Sequence, residues 1–393
     1  MPSIYEHLKV PTLVNAAGTL TRLGGSLMDA EVVQAMAEAS HGFVRMDELH
    51  AAAGQRIAET TGAEAGLVTS GAAASLTLAT AACLAGHDFA RMDRLPDTAG
   101  MPNEIVIARS HRNGYDHALR AAGARLVEVG LAERTRDPQP WEITAAINEQ
   151  TVAVAFSVGF SPLPLADVVA VAKQRGVPVI VDASAALPPR ENLKKFIAAG
   201  ADLVAFSGGK AIRGPQASGI LCGRRDLIAS AALQMWDMDF VPELWNPPVA
   251  VVDPTIMKAG VPNHGIGRGM KVGKEEIAGL LVALERFAAG SDAADCERFT
   301  AAAAQIASGL TDLPGARVSL VERPELWPVV RLEIDPASRV TAIEIARTLE
   351  SGTPAVYVAT GDAQAGRLAI DPFCLQPGEA QMVIARVQAA FGR

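Results

Sequence analysis

The sequence predicts an α/β fold: a large domain on a mainly parallel sheet with helices on both faces, then a smaller α+β C-terminal domain. Three observations carry this. Between about residues 66 and 222, short apolar runs alternate with helical patterns, as they do when parallel strands are joined by helical crossovers. The runs are continuously apolar, as in Val-Pro-Val-Ile-Val (177–181) and Leu-Val-Ala-Phe (203–206), so both faces of their sheet should be covered. After Gly290 the order of helices and strands becomes mixed.

In chain order, residues 31–59 are helical in pattern and rich in Ala, Met and Glu. Residues 66–69 read as a strand, Ser70-Gly71 as a turn, and an Ala/Leu-rich helix runs through Leu84. Residues 86–103, with Asp, Arg, Pro and Gly, read as an exposed connection. Strands are expected at 104–108, 125–129, 151–156, 177–181, 201–206 and 219–222, with helices at 115–122, 143–148, 164–175 and 193–199 between them. The Pro- and Gly-rich stretch 237–272 is irregular and too polar in places for a core; 275–288 is amphipathic and helical. Beyond it come helices at 292–310 and 341–349, strands at 316–320, 329–334, 355–359 and 368–370, and a closing helix. The expected organisation is an N-terminal arm and helix (1–45), a large domain (46–272), and a connecting helix with a small domain (273–393).

Of the 393 residues, 49% are hydrophobic and 20% charged, which suits a globular protein with a sizeable core. The formal net charge is −8 and no block of Lys or Arg occurs, so no nucleic-acid footprint is expected. The N-terminal Met-Pro-Ser-Ile-Tyr-Glu-His-Leu-Lys has no basic-plus-apolar leader. The longest weakly polar run, 72–86, falls short of the ~20 apolar residues of a membrane span. Cys83, Cys222, Cys296 and Cys374 are far apart, with no Cys-x-x-Cys pair. Disulfide frameworks and metal sites are therefore not expected, and a reducing cytoplasm is.

The stretch Ser-Gly-Gly-Lys-Ala-Ile-Arg-Gly-Pro-Gln (207–216) puts Lys210 where an apolar run meets a glycine-rich turn. A Walker-type phosphate loop would need glycine at 204 and Ser or Thr at 211; Val204 and Ala211 stand there. A lysine at a strand end is also compatible with ordinary surface polarity. Upstream, however, another apolar run ends in Asp182. A lysine and an aspartate at the carboxyl ends of neighbouring strands are the pair needed for pyridoxal 5'-phosphate (PLP). The lysine forms a Schiff base with the aldehyde, and the aspartate keeps the pyridine nitrogen protonated.

Ser70, His111, Asp182 and Lys210 all fall at expected strand ends, where ligands bind in such sheets. Thr69-Ser70-Gly71-Ala72-Ala73-Ala74 joins a strand to a helix through small residues. Free N–H groups there could take a phosphate, or the stretch could be a tight turn with a serine N-cap. Ser207 could reach the same phosphate or stabilise the turn. His111 could stack on the ring and shuttle protons, or be an ordinary surface histidine. Arg22, Arg213 and Arg268 could serve anions or be solvated charge. Met235, Trp236, Met238, Phe240 and Trp245 read as packing or subunit-contact residues.

Asn15–Ser26, Thr69–Leu78, Val181–Pro189, Phe206–Leu221 and Gly265–Leu280 resemble the fold-type I PLP enzymes related to bacterial selenocysteine synthase. Within that group they are most similar to the D-glucosaminate-6-phosphate ammonia-lyase-type members. The resemblance spans most of the chain and implies a seven-stranded-type, mainly parallel sheet. It implies Lys210 as the Schiff-base lysine and Asp182 as the pyridinium partner. Ser70, Gly71, Ala72 and Ser207 would form the phosphate cup, and His111 would stack on the ring. It also implies a homodimer or higher homo-oligomer with shared active sites, which the arm carrying Thr19 and Arg22 and the Arg268 loop would reach from a neighbouring subunit. Two departures stand out. Ala183, Ala185 and Ala186 leave only Ser184, or Ser157, to bond the ring's phenolic oxygen. Tyr357-Val358-Ala359-Thr360 lacks the carboxylate-binding arginine common in relatives.

The expected function is a PLP-dependent lyase releasing ammonia from a small anionic β-hydroxy amino acid or amino-sugar acid, with Thr19, Arg22, Arg213 and Arg268 binding substrate. An amino-acid racemase or aminotransferase on the same cofactor is the enzymatic alternative. A selenium transferase on aminoacyl-tRNA is disfavoured by the acidic charge and by the lack of an RNA-binding segment before the catalytic region. A PLP-binding protein without turnover also remains open.

Overall fold

The computed structural model describes residues 3–131, 136 and 138–392. Its strands are β1 (Leu13–Ala16), β2 (Ala65–Thr69), β3 (Glu104–Ala108), β4 (Arg125–Val129), β5 (Thr151–Ser157) and β6 (Val179–Asp182). They continue with β7 (Leu203–Ser207), β8 (Gly219–Gly223), β9 (Ala316–Arg323), β10 (Leu326–Ile334), β11 (Ala355–Val358) and β12 (Arg367–Ile370). The chain forms two compact units, Met28–Ala289 and Met1–Leu27 with Gly290–Arg393.

The larger unit holds a seven-stranded sheet in the order β2-β8-β7-β6-β5-β3-β4. Strand β8 is antiparallel to both neighbours and the remaining pairs are parallel. Side chains alternate between the faces of a strand, and here both sets are apolar. Leu67, Ile105, Ile107, Ile180, Leu203 and Leu221 belong to the core under the helix Ala72–Ala85. Their neighbours Val68, Val106, Val181, Val204 and Phe206 are equally buried, as two-sided coverage requires. The helix Ala72–Ala85 has no polar face, so it fits only a position enclosed by other elements.

The smaller unit pairs β1 in parallel with β11, and separately orders β12-β10-β9 as an antiparallel sheet. Val14, Val330, Leu332, Ile345, Val356 and Val358 meet in its core.

Several elements differ from expectation. The helical stretch 31–59 is two helices, Ala30–Ser40 and Met46–Thr61. Residues 86–103 are not a bare exposed connection. They contain the helix Phe89–Arg94 and bury Met92, Leu95 and Met101, because the apolar members of this polar stretch share one side. The helix expected at 115–122 begins as the 3-10 turn Gly114–Asp116 and continues as His117–Ala121. Within 237–272, Val251 and Val252 are core residues. The helix Lys274–Ala289 packs on Ala30–Ser40 and Met46–Thr61 within the larger unit, with Arg286 paired to Asp29 and Glu31.

Candidate active site

The register of the large sheet collects the candidate residues on one edge. Gly219, at the start of β8, pairs with Thr69 on one side and Ser207 on the other. Asp182, the last residue of β6, pairs with Ala205 of β7 and with Ser157 of β5. Ser70 directly follows β2, His111 lies in the 3-10 turn Arg109–His111 after β3, and Lys210 lies three residues past β7.

The loop carrying Lys210 closes on itself. Gly208 N–H donates to Ser218 C=O at 2.9 Å, Gly214 N–H to Gly208 C=O at 2.9 Å, and Arg213 N–H to Lys210 C=O at 3.0 Å. The two glycines before the lysine are steric requirements. A Cβ on Gly208 would strike the Ser218 hydroxyl, and one on Gly209 would lie 2.5 Å from Gln216 Cα. Arg213 adopts φ 60°, a conformation uncommon for a side-chain-bearing residue.

Burial lowers the Lys210 amine pKa below that of an ordinary lysine, and the Asp182 carboxylate acts in the opposite direction. Asp182 is held by the Ser184 N–H, which donates to its Oδ1 at 3.0 Å. His111 is 1% exposed. Its Nδ1 accepts the Ser157 N–H at 3.3 Å, and its ring meets Phe156 edge-on at 4.6 Å. A small, partly open cleft beside these groups is lined by Asn113, Tyr115, Phe156, Ser157 and Asp182 among others.

At the β2 end, Gly71 occupies the helix N-cap with φ 146°, and no side chain caps this helix. The serine N-cap considered from sequence is therefore not what forms. The Ser70 N–H donates to Met270 C=O at 3.3 Å, and the Gly71 N–H to Thr69 Oγ1 at 3.4 Å. The first intrahelical bond runs from Ser75 N–H to Gly71 C=O. The N–H groups of Ala72, Ala73 and Ala74 therefore precede the hydrogen-bonded ladder and can face an anion. A Cβ on Gly219 would run into the Gly71 and Ala72 backbone, so only glycine lets β8 support this turn.

The other candidates are placed differently. Arg268 donates to Asp237 Oδ2 at 2.6 Å. Thr19 and Arg22 belong to the smaller unit, where the Arg22 guanidinium lies 5.7 Å from the Tyr357 ring centroid. Sequence reasoning missed Asn113, which bridges His111 and Ser157, and Thr69 with Ser75, whose hydroxyls bond at 2.8 Å behind the turn. Small polar residues flanking a turn were the available signal for Thr69 and Ser75. For Asn113 there was none, because its partner Ser157 is 44 residues away.

An amine beside a carboxylate, together with a turn of unused N–H groups, suits a phosphorylated pyridine aldehyde such as PLP. The amine matches the aldehyde, the carboxylate the ring N–H, and the turn the phosphate.

The profile of the family described as L-seryl-tRNA selenium transferase matches residues 13–236, which include every one of these sheet-edge groups. A 5'-C-glycyluridine monooxygenase-decarboxylase from Streptomyces sp is 34% identical, over 98% of this chain and 91% of the relative. The D-glucosaminate-6-phosphate ammonia lyase of Salmonella typhimurium (strain 14028s / SGSC 2262) is 32% identical, over 98% of this chain and 97% of the relative. A solved structure of D-glucosaminate-6-phosphate ammonia-lyase matches with a TM-score of 0.80 at 30% identity, covering 100% of this chain and 99% of the other. The fold is that of the fold-type I enzymes, and the chain belongs to the L-seryl-tRNA selenium transferase family.

Proposed function

We propose that this protein is a PLP-dependent lyase that releases ammonia from a small anionic β-hydroxy amino acid or amino-sugar acid, leaving the 2-oxo acid. The observation that carries this reading is the Lys210–Asp182 pair at neighbouring strand ends, with the amine pKa pushed down by burial. Similarity to an ammonia lyase over nearly the whole of both chains supports it.

When bound, PLP supplies an aldehyde for amines and a ring that accepts electrons. Lys210 anchors that aldehyde. With substrate bound, the Lys210 ε-amine, which burial favours in its uncharged form, would take the proton from the substrate α-carbon. Asp182, steadied by the Ser184 N–H, holds the proton on the pyridine nitrogen. The N–H groups at the start of the helix Ala72–Ala85 and the Ser207 hydroxyl receive the phosphate, with Ser70, Gly71 and Ala72 forming the turn. His111 would cover the ring, and Ser184 or Ser157 would hold its phenolic oxygen. Thr19, Arg22, Arg213 and Arg268 bind the substrate's anionic groups, Arg268 by exchanging Asp237 for substrate. We place the enzyme in the cytoplasm as a homodimer or larger assembly with shared sites. Among the described residues no disulfide forms and no helix is long and apolar enough to cross a membrane.

Purified protein should absorb in the visible, and borohydride should remove that band and leave the label on Lys210. Lys210→Ala should lower ammonia release from β-hydroxy amino acids and phosphorylated amino-sugar acids by roughly 10³-fold. Wild-type rates in that variant would end the proposal. A second reading, oxygen-dependent decarboxylation, is favoured by the Streptomyces relative. Oxygen uptake and CO2 release, with no ammonia formed, would select it.

A further inference from the structure

His111 and Asn113 sit on one short loop and face the end of β5 through separate hydrogen bonds. A backbone N–H can only donate, so the bond from Ser157 N–H to His111 Nδ1 at 3.3 Å requires a lone pair on Nδ1. The uncharged ring must then carry its proton on Nε2. A proton on Nδ1 would point at the Ser157 N–H, and His111, 1% exposed, has little water to relieve that clash.

Asn113 clasps the same two residues. Its Nδ2 donates to His111 C=O at 3.1 Å and lies 3.4 Å from Ser157 Oγ, while its Oδ1 accepts the Tyr115 N–H at 2.8 Å. The loop is tied down further by Arg112, which pairs with Asp116 and Glu128, and by Arg109, which reaches Glu128 at 3.1 Å.

We propose that Asn113 is a positioning residue that, with the Ser157 amide, holds His111 as the Nε2–H tautomer. The inference rests on the reading of this sheet edge as the active site. On that reading His111 meets its ligand as a hydrogen-bond donor, and proton removal from the substrate belongs to Lys210.

The test uses the full-length, cofactor-loaded protein with 15N-labelled histidine, studied by solid-state NMR, with His111→Gln identifying the His111 signals. The wild type should show an unprotonated Nδ1 and a protonated Nε2. Asn113→Ala should give a mixture of tautomers and a kcat about tenfold lower with KM little changed. Asn113→Asp keeps the oxygen that caps Tyr115 but lacks the two donor contacts, so it should behave like Asn113→Ala. A protonated Nδ1 in the wild type, or an unchanged tautomer in Asn113→Ala, overturns the proposal. Loss in Asn113→Ala with full retention in Asn113→Asp also overturns it, since the turn cap alone would then suffice. Visible absorbance checks that each variant is folded and loaded. The tautomer is read without substrate, so failure to release ammonia would count against the lyase reading and leave this result standing.

Discussion

At Lys210 two effects oppose each other, and burial outweighs the nearby carboxylate, so the amine pKa falls. The sign of a pH test follows. In Asp182→Asn the raising influence is gone, so the amine should lose its proton at still lower pH than in the wild type. The acid limb of the pH–rate profile for ammonia release should move to lower pH. On the proposed role of Asp182 the maximal rate should drop by about 10²-fold, because the ring nitrogen would lose its charged partner. An acid limb that moved to higher pH would contradict this assignment of the pair. Lys210 and Asp182 were legible in the sequence because each ends a continuous apolar run. The pairing of Arg268 with Asp237 was not, since Asp237 lies 31 residues away in an irregular stretch.

At the scale of elements, glycines set how closely β7, β8 and the turn after β2 approach. Gly219 has no space for a side chain toward Gly71 and Ala72. Gly219→Ala should force β8 away from the turn, at a cost of about 1–3 kcal/mol. Cofactor binding, followed by visible titration, should weaken roughly tenfold to a hundredfold while secondary structure by circular dichroism is kept. Unchanged affinity would show that the turn does not receive the phosphate. The alternation of strands and helices was readable because apolar runs and periodicity are local properties. The burial of Met92, Leu95 and Met101 was not, because polar neighbours mask apolar residues whose common side is set by packing.

At the scale of the molecule, acid stability has an identifiable contributor. His50 is buried in the helix Met46–Thr61, and desolvation lowers its pKa from 6.5 to about 4. Between those values the unfolded chain binds a proton that the folded chain refuses. Stability from this residue is therefore full above about pH 6.5 and is lost as the pH falls toward 4, by up to about 3 kcal/mol. Urea unfolding of wild type and His50→Leu at pH 7.5 and 4.5 measures it: the wild type should lose more stability than the variant on acidification. Equal losses would exclude His50 as the contributor.

The sequence by itself determined the alternating α/β pattern, the two strand ends bearing Asp182 and Lys210, and the glycine-rich turns, since each follows from local composition and spacing. Only the tertiary structure decided the strand order that seats Gly219 between Thr69 and Ser207. It also decided the pairing of β1 with β11, more than 300 residues apart, and the bond that fixes the protonated nitrogen of His111. Sequence periodicity records which face of an element is apolar, not which distant element covers it, so long-range register and hydrogen bonding had to come from the folded chain.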